Sequence, residues 1–302
     1  MKRVSIAALL AAALILGHLR LTAAETAKFR YLTAVYFDEK GAGLMLPEGV
    51  ACDAKGQVLI SDTGNDRLLR FTFQNKTVSG GSEIKIPEMS APSTVQLNSK
   101  GEIYALTGKE RRIVHLSPEG AFKDVLSFDG VPPPATIVPK SFTIDSADNI
   151  YLLDVFSARV LVLNPKGEFQ RALALPDDTG FVSNLAVDAT GSILVVDSIN
   201  RRILSAGKDA TAFAAIGGDL RESLNTLPTG MTAYKGTIFI VEGSGGSIAS
   251  FGRDGSFLAR QLTEGRKEGS LNHPSQICIN DKDEVFIADR DNSRIQVFGL
   301  IR

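Results

Sequence analysis

The chain has no tryptophan, four methionines, three histidines and two cysteines in 302 residues. A zinc centre needs several such ligands converging, so that chemistry has little to work with. Charge of one sign is lacking too. With 33 Lys and Arg against 34 Asp and Glu, the balance carries neither a nucleic-acid footprint nor a polyanionic tail. No long apolar stripe of period 3.6 appears, which excludes alternating strands and helices. Phosphate-loop, nucleophile-elbow and Cys/His metal spacings are missing as well. What is present is 44% apolar and 22% charged, with 28 Gly and 12 Pro. That composition is globular, neither collagen-like nor disordered, and its length suits one large domain or two ordinary ones.

The N-terminus reads as an export signal. Lys2 and Arg3 precede an apolar run over residues 4–17, and Thr22, Ala23 and Ala24 lead to Glu25. Charged start, apolar middle and small-residue exit are the parts of a cleaved secretory leader. The 14-residue run is short of the roughly 20 that cross a bilayer. Removing residues 1–24 takes three bases and no acid, so the net charge goes from −1 to −4. The expected mature chain is residues 25–302, a single domain that is periplasmic or secreted, with no membrane span and no nucleic-acid partner.

The rest of the chain repeats. Each unit opens on a proline and runs through a short apolar strand, a polar turn, a second apolar strand ending in Asp, four loop residues, and an Arg that opens a third strand. Residues 47–71, 139–163 and 274–298 are the clearest copies, 182–206 lacks only the proline, and 92–116 and 228–251 are degenerate. The residue ending the second strand sets the register: Asp62, Thr107, Asp154, Asp197, Glu242 and Asp289, at spacings of 45, 47, 43, 45 and 47. In the third unit four strands are predicted at 141–145, 150–153, 159–163 and 169–175, separated by turns such as 146–149. Four strands every 45 residues or so, six times over, predict an all-β fold: a six-bladed β-propeller of four-stranded antiparallel blades. The last unit has only three strands, and the aromatic, β-branched stretch 29–37 is free to supply the fourth. An N-terminal strand would then close the ring and remove a free edge.

The segments ISDTGNDRLLRF, VVDSINRRILSA and IADRDNSRIQVF resemble NHL repeats, and residues 29–302 resemble a six-bladed NHL-type propeller as a whole. The resemblance weakens in units two and five, where Thr107 stands for Asp and Ser247 for Arg. It implies a fold and leaves the activity open, because the family spans secreted bacterial proteins, RNA-binding or scaffold domains and a few lyases.

Four Asp/Arg pairs recur at a spacing of five: Asp62 with Arg67, Asp154 with Arg159, Asp197 with Arg202, and Asp289 with Arg294. They flank a hairpin loop and should face each other across the strand pair as structural ties. The two residues after the leading proline should ring the channel mouth, which makes Glu48, Lys140, Asn184 and Gln276 candidate ligand-binding groups. Six-bladed calcium lactonases, similar in architecture, hold calcium at this mouth through Glu and Asn. Here Glu48 and Asn184 make a poor set beside Lys140, since calcium takes six to eight oxygens, usually with carboxylates. No cofactor is therefore expected, with calcium as the remaining possibility. Phe156 and Ile199, apolar residues in hairpin loops, with Arg201, Arg111 and Arg290 on the same face, suit a protein or peptide partner. The longer connections 130–134 and 217–225 lie beside them.

Cys52 and Cys278 fall in the inner strands of units one and six, neighbours once the ring closes. Offset by one position, they point to opposite blade faces, so they can either meet as a disulfide or both turn away. The reading as a whole is an exported, non-enzymatic, monomeric binding or scaffold module; the alternative is a lactonase-like, metal-dependent hydrolase or lyase at the channel mouth.

Overall fold

In the computed structural model, which describes residues 26–224 and 226–302, each repeat becomes one sheet. Strand β1 (Lys28–Val35) precedes the units. Blade one is β2 (Gly49–Cys52), β3 (Gln57–Asp62), β4 (Arg67–Gln74) and β5 (Thr77–Ile84). Blade two is β6 (Pro92–Leu97), β7 (Ile103–Thr107), β8 (Ile113–Leu116) and β9 (Phe122–Val125). Blade three is β10 (Pro139–Ile144), β11 (Ile150–Asp154), β12 (Arg159–Leu163) and β13 (Phe169–Ala174), close to the predicted bounds. Blade four is β14 (Val182–Val187), β15 (Ile193–Asp197), β16 (Arg202–Ala206) and β17 (Ala214–Ile216). Blade five is β18 (Pro228–Tyr234), β19 (Thr237–Glu242), β20 (Ser247–Gly252) and β21 (Phe257–Gln261). Blade six is β22 (Pro274–Ile279), β23 (Glu284–Asp289) and β24 (Arg294–Ile301), completed by β1 on its outer edge.

Ring closure therefore comes from the N-terminal strand. Lys28 pairs with Ile301 and Val35 with Ile295. The strand stops earlier than expected, and Phe37 instead bridges to Gly43 in the connection toward blade one. The export leader expected over residues 1–24 lies outside the described residues. Among the described residues, no helix is long and apolar enough to cross a membrane.

Alternation places every second side chain of a strand on each blade face, and consecutive blades press those faces together. The core consequently splits into clusters, each between two neighbouring blades. The cluster between blades six and one includes Phe73 edge-on to Phe286, ring centres 5.5 Å apart. In the seam between blades five and six, Phe29 of β1 meets Phe239 and Phe298 edge-on at 5.9 and 6.0 Å. Cys52 and Cys278 join in a disulfide, with Cα atoms 6.0 Å apart. Their one-position offset is what brings them together, because adjacent blades turn opposite faces toward each other.

The Asp/Arg pairs tie hairpin to connection. Arg67, Arg159, Arg202 and Arg294 each donate from Nε to their Asp, at 2.8, 3.1, 3.2 and 2.6 Å. Each Asp also accepts from a backbone N–H just ahead of its blade: Met45, Val138, Gly180 or Asn272. The rest of each guanidinium reaches into the incoming connection. Arg159 holds the carbonyls of Pro132 and Pro134, Arg202 the Asp178 carboxylate, Arg294 the carbonyls of Lys267 and Ser270, and Arg67 the buried Asp38. The degenerate blades solve the problem differently. In blade five Arg260 arrives from β21, with Nε 2.7 Å from Glu242, and Ser247 donates to the same carboxylate. In blade two Thr107 Oγ1 accepts only the Arg112 backbone N–H, and the Arg112 side chain stands in solvent.

Candidate functional site

The channel mouth is made by a break in register. In blades two to six the inner strand carries one more residue than its partner immediately after its first position: Pro139 pairs with Asp154 but Ser141 with Leu153. A bulge at a strand's start re-aims the extra side chain. Five blades doing so, with the unbulged start of blade one, gather Glu48, Ser93, Thr94, Lys140, Ser183, Asn184, Thr229, Ser275 and Gln276 about a space of roughly 110 Å³. The four candidate ligand groups expected from the repeat are thus brought together. Blades approach too closely here for larger residues. A Cβ at Gly49 would lie 2.1 Å from the Ser93 carbonyl, and one at Gly230 2.4 Å from that of Ser275.

Not all four groups are available. Glu48 Oε1 accepts from Arg290 Nε at 3.2 Å, so the single acid of the ring already has a counter-ion. Arg290, expected on the partner face, is thereby committed to the mouth and to Asp291. The Gln276 amide accepts from Val50 N–H of blade one at 3.3 Å and donates to the Val95 carbonyl of blade two at 3.5 Å, bracing three blades. Lys140 and Asn184 remain. Neither side chain has a hydrogen bond or ion pair among the described residues. Below the mouth the channel narrows to about 90 Å³, lined by Gln96, Thr143, Asn184, Thr232, Gln276 and apolar neighbours.

This donor set suits a cation poorly. Glu48 would have to give up Arg290, Lys140 would repel the ion, and no cluster of three His, Cys, Asp or Glu suited to a metal occurs among the described residues. Nor is there a proton-transfer pair at the mouth. Both histidines of the described chain lie elsewhere. His115, on β8, stacks on Tyr104 at 4.3 Å between Glu102 and Asp124. The Lys123 ammonium bonded to Glu102 holds that carboxyl down to about 2. His273 sits in the connection before β22 and faces Asp291 at 3.2 Å.

Around the mouth, the hairpin loops and blade connections form one face. Phe156 and Ile199 stand on it 58% and 62% exposed, and Phe181, which sequence reasoning missed, is 49% exposed between them in the chain. The signal for Phe181 was available: an aromatic residue in a connection, one position ahead of the fourth blade. Arg111 is exposed on the same face. Arg201 does not point outward with them; it donates to the Leu224 carbonyl at 2.8 Å and so anchors the connection into blade five.

Comparison with known proteins places this geometry. Residues 271–298 match the NHL repeat family. No curated protein matches the chain. Among solved structures, virginiamycin B lyase from Staphylococcus aureus superposes with a TM-score of 0.64 at 14% identity, over 91% of this chain and 100% of that one. A gluconolactonase from Xanthomonas campestris gives 0.65 at 17%, over 91% and 90%. A chain of a nidogen/laminin complex gives 0.63 at 17%, over 78% and 85%. Likeness at this identity shows the shared propeller fold, which two enzymes and a protein assembly all use.

Proposed function

Taking the chain as an NHL-repeat β-propeller, we propose that it is an exported, non-catalytic binding module that docks a ligand or peptide on the loop face, at the channel mouth. The observation that carries this reading is the charge state of the mouth. Its one acid is neutralised by Arg290 at 3.2 Å, and among the described residues Lys140 is left as a cation without an acidic partner. Such a ring attracts an anionic group and offers it hydroxyls and amides. It does not present an acid and a base to one reacting atom, which general acid–base chemistry requires. Export rests on the leader-like N-terminus, and the Cys52–Cys278 disulfide suits an oxidising compartment.

The test is the melting temperature of the purified chain with excess chelator and then with millimolar calcium, magnesium or zinc. A ligand that binds only the native state must raise it. No metal is expected to do so. A rise of several degrees with one metal would overturn the reading and reinstate a metal-dependent hydrolase or lyase at Glu48 and Asn184, and lactones and esters would then be screened.

A further inference from the structure

The mouth and the channel beneath it, about 110 and 90 Å³, are smaller than the roughly 300–1,000 Å³ that organic ligands occupy. A space of that size opens beside them. Between blades three and four, on the same face, a cavity of about 360 Å³ is walled by Val155, Ala158, Leu175, Pro176, Phe181 and Val182. Two hydroxyls on its lining, Ser157 Oγ and Thr179 Oγ1, are buried without a hydrogen-bond partner. Buried polar atoms are nearly always paired, so two of them on one cavity wall point to a partner that the chain itself does not provide.

Phe181 connects this cavity to the mouth. Its ring lines the cavity, and Lys140 Nζ stands 5.9 Å from the ring centre while Lys140 also lines the mouth. Ile199 lies against Gly180 of the lining; a Cβ at Gly180 would come within 2.5 Å of it. One contiguous surface therefore offers an unpaired cation, an aromatic face, an apolar hollow and two hydroxyls. Asp177 at the rim disfavours a second negative charge on whatever fills the hollow.

We propose that Lys140 and this cavity together bind a small organic monocarboxylate with an aromatic or branched aliphatic body. The carboxylate meets Lys140 Nζ and the Asn184 amide, and the body lies on Phe181 and fills the hollow. A hydroxyl or carbonyl on the body pairs with Ser157 and Thr179. The inference rests on the reading of the mouth as a binding surface and assigns it a ligand class. A free acid and the C-terminal residue of a peptide share this chemistry.

Calorimetric titration of the full chain with 3-phenylpropanoate, 3-phenylpropanamide and acetate tests it, alongside N-acetyl-Gly-Phe with its C-terminus free or amidated. Saturable one-to-one binding of the phenylpropanoate is expected, weakened at least tenfold by Lys140→Met and by Phe181→Ala and unchanged by Phe122→Ala, an exposed residue on a distant outer strand. The amide should fail to bind. Tighter binding of the free-C-terminus peptide than of the free acid identifies a peptide end as the source, and the reverse identifies a free acid. If acetate binds in a Lys140-dependent way but phenylpropanoate gains nothing over it, the cavity is overturned while the mouth reading stands. If no acid binds, both fall.

Discussion

At the scale of single residues, the repeated Asp/Arg tie shows how one physical need is met by different side chains. The first turn of each blade must hold an incoming connection whose backbone N–H groups would otherwise be unpaired. Four blades do this with an Arg five residues past the Asp, and blade five recruits Arg260 from β21. Burial pushes the Glu242 carboxyl up, but the hydrogen bonds from Arg260 and Ser247 outweigh it and hold the group below its ordinary 4.5. That stabilisation is present above 4.5 and is lost as the pH falls through the lowered value. Arg260→Leu should therefore cost about 3 kcal/mol at neutral pH, the lower end for breaking a buried pair. The cost should shrink as the pH falls through that lowered value and Glu242 protonates. Arg112→Ala, at a solvent-exposed site where its acidic neighbour is the equally exposed Glu110, should change stability by roughly 0.5 kcal/mol or less. Urea unfolding of both variants at pH 7 and pH 3.5 measures this; equal costs for the two at pH 7 would show that Arg260 does not replace the missing tie.

At the scale of elements, the closing strand carries an exposed liability. Without β1, the outer edge of β24 would present eight residues of unpaired backbone, from Arg294 to Ile301, and an open apolar edge is a template for association. Deleting Lys28–Val35 is expected to give multimers or precipitate in size-exclusion chromatography; a soluble monomer of unchanged melting temperature would contradict the role. The blades themselves were legible because their second and third strands are short apolar runs, and the second ends on an Asp in four of the six units at near-constant spacing. Outer strands were less so: β17 spans only Ala214–Ile216, all half-exposed or exposed, and packing asks little of such residues. The mouth ring was legible for the same reason as the blades, since position after the proline sets it. What the sequence could not reveal lies between blades. Glu48 meets Arg290 across 242 residues, Gln276 bonds to Val50 and Val95 across 226 and 181, and Arg260 replaces an arginine expected at Ser247. A repeat specifies what lies within a unit, and these contacts depend on how separate units are set around the axis.

At the scale of the whole molecule, closure concentrates long-range contact in one place. Five interfaces join consecutive units, while the sixth joins the two ends of the chain: β1 on β24, Gln276 on Val50, and Cys52 to Cys278 across 226 residues. Closing so long a loop has an entropic cost that no other interface bears, and the disulfide removes part of it from the unfolded chain. Losing that bond should cost about 2–5 kcal/mol, on the order of 3–9 °C in melting temperature for a domain of this size. The loss should not be spread evenly, because a ring that opens does so first at the interface whose two sides are held only by chain ends. In hydrogen exchange followed by mass spectrometry, the Cys52→Ser, Cys278→Ser protein is therefore expected to lose protection in β1, β2 and β22 well before β10 to β16. The oxidised parent should exchange these regions at similar rates. Uniform acceleration in all six blades would mean instead that the propeller opens as one cooperative unit and that the disulfide supports every interface alike.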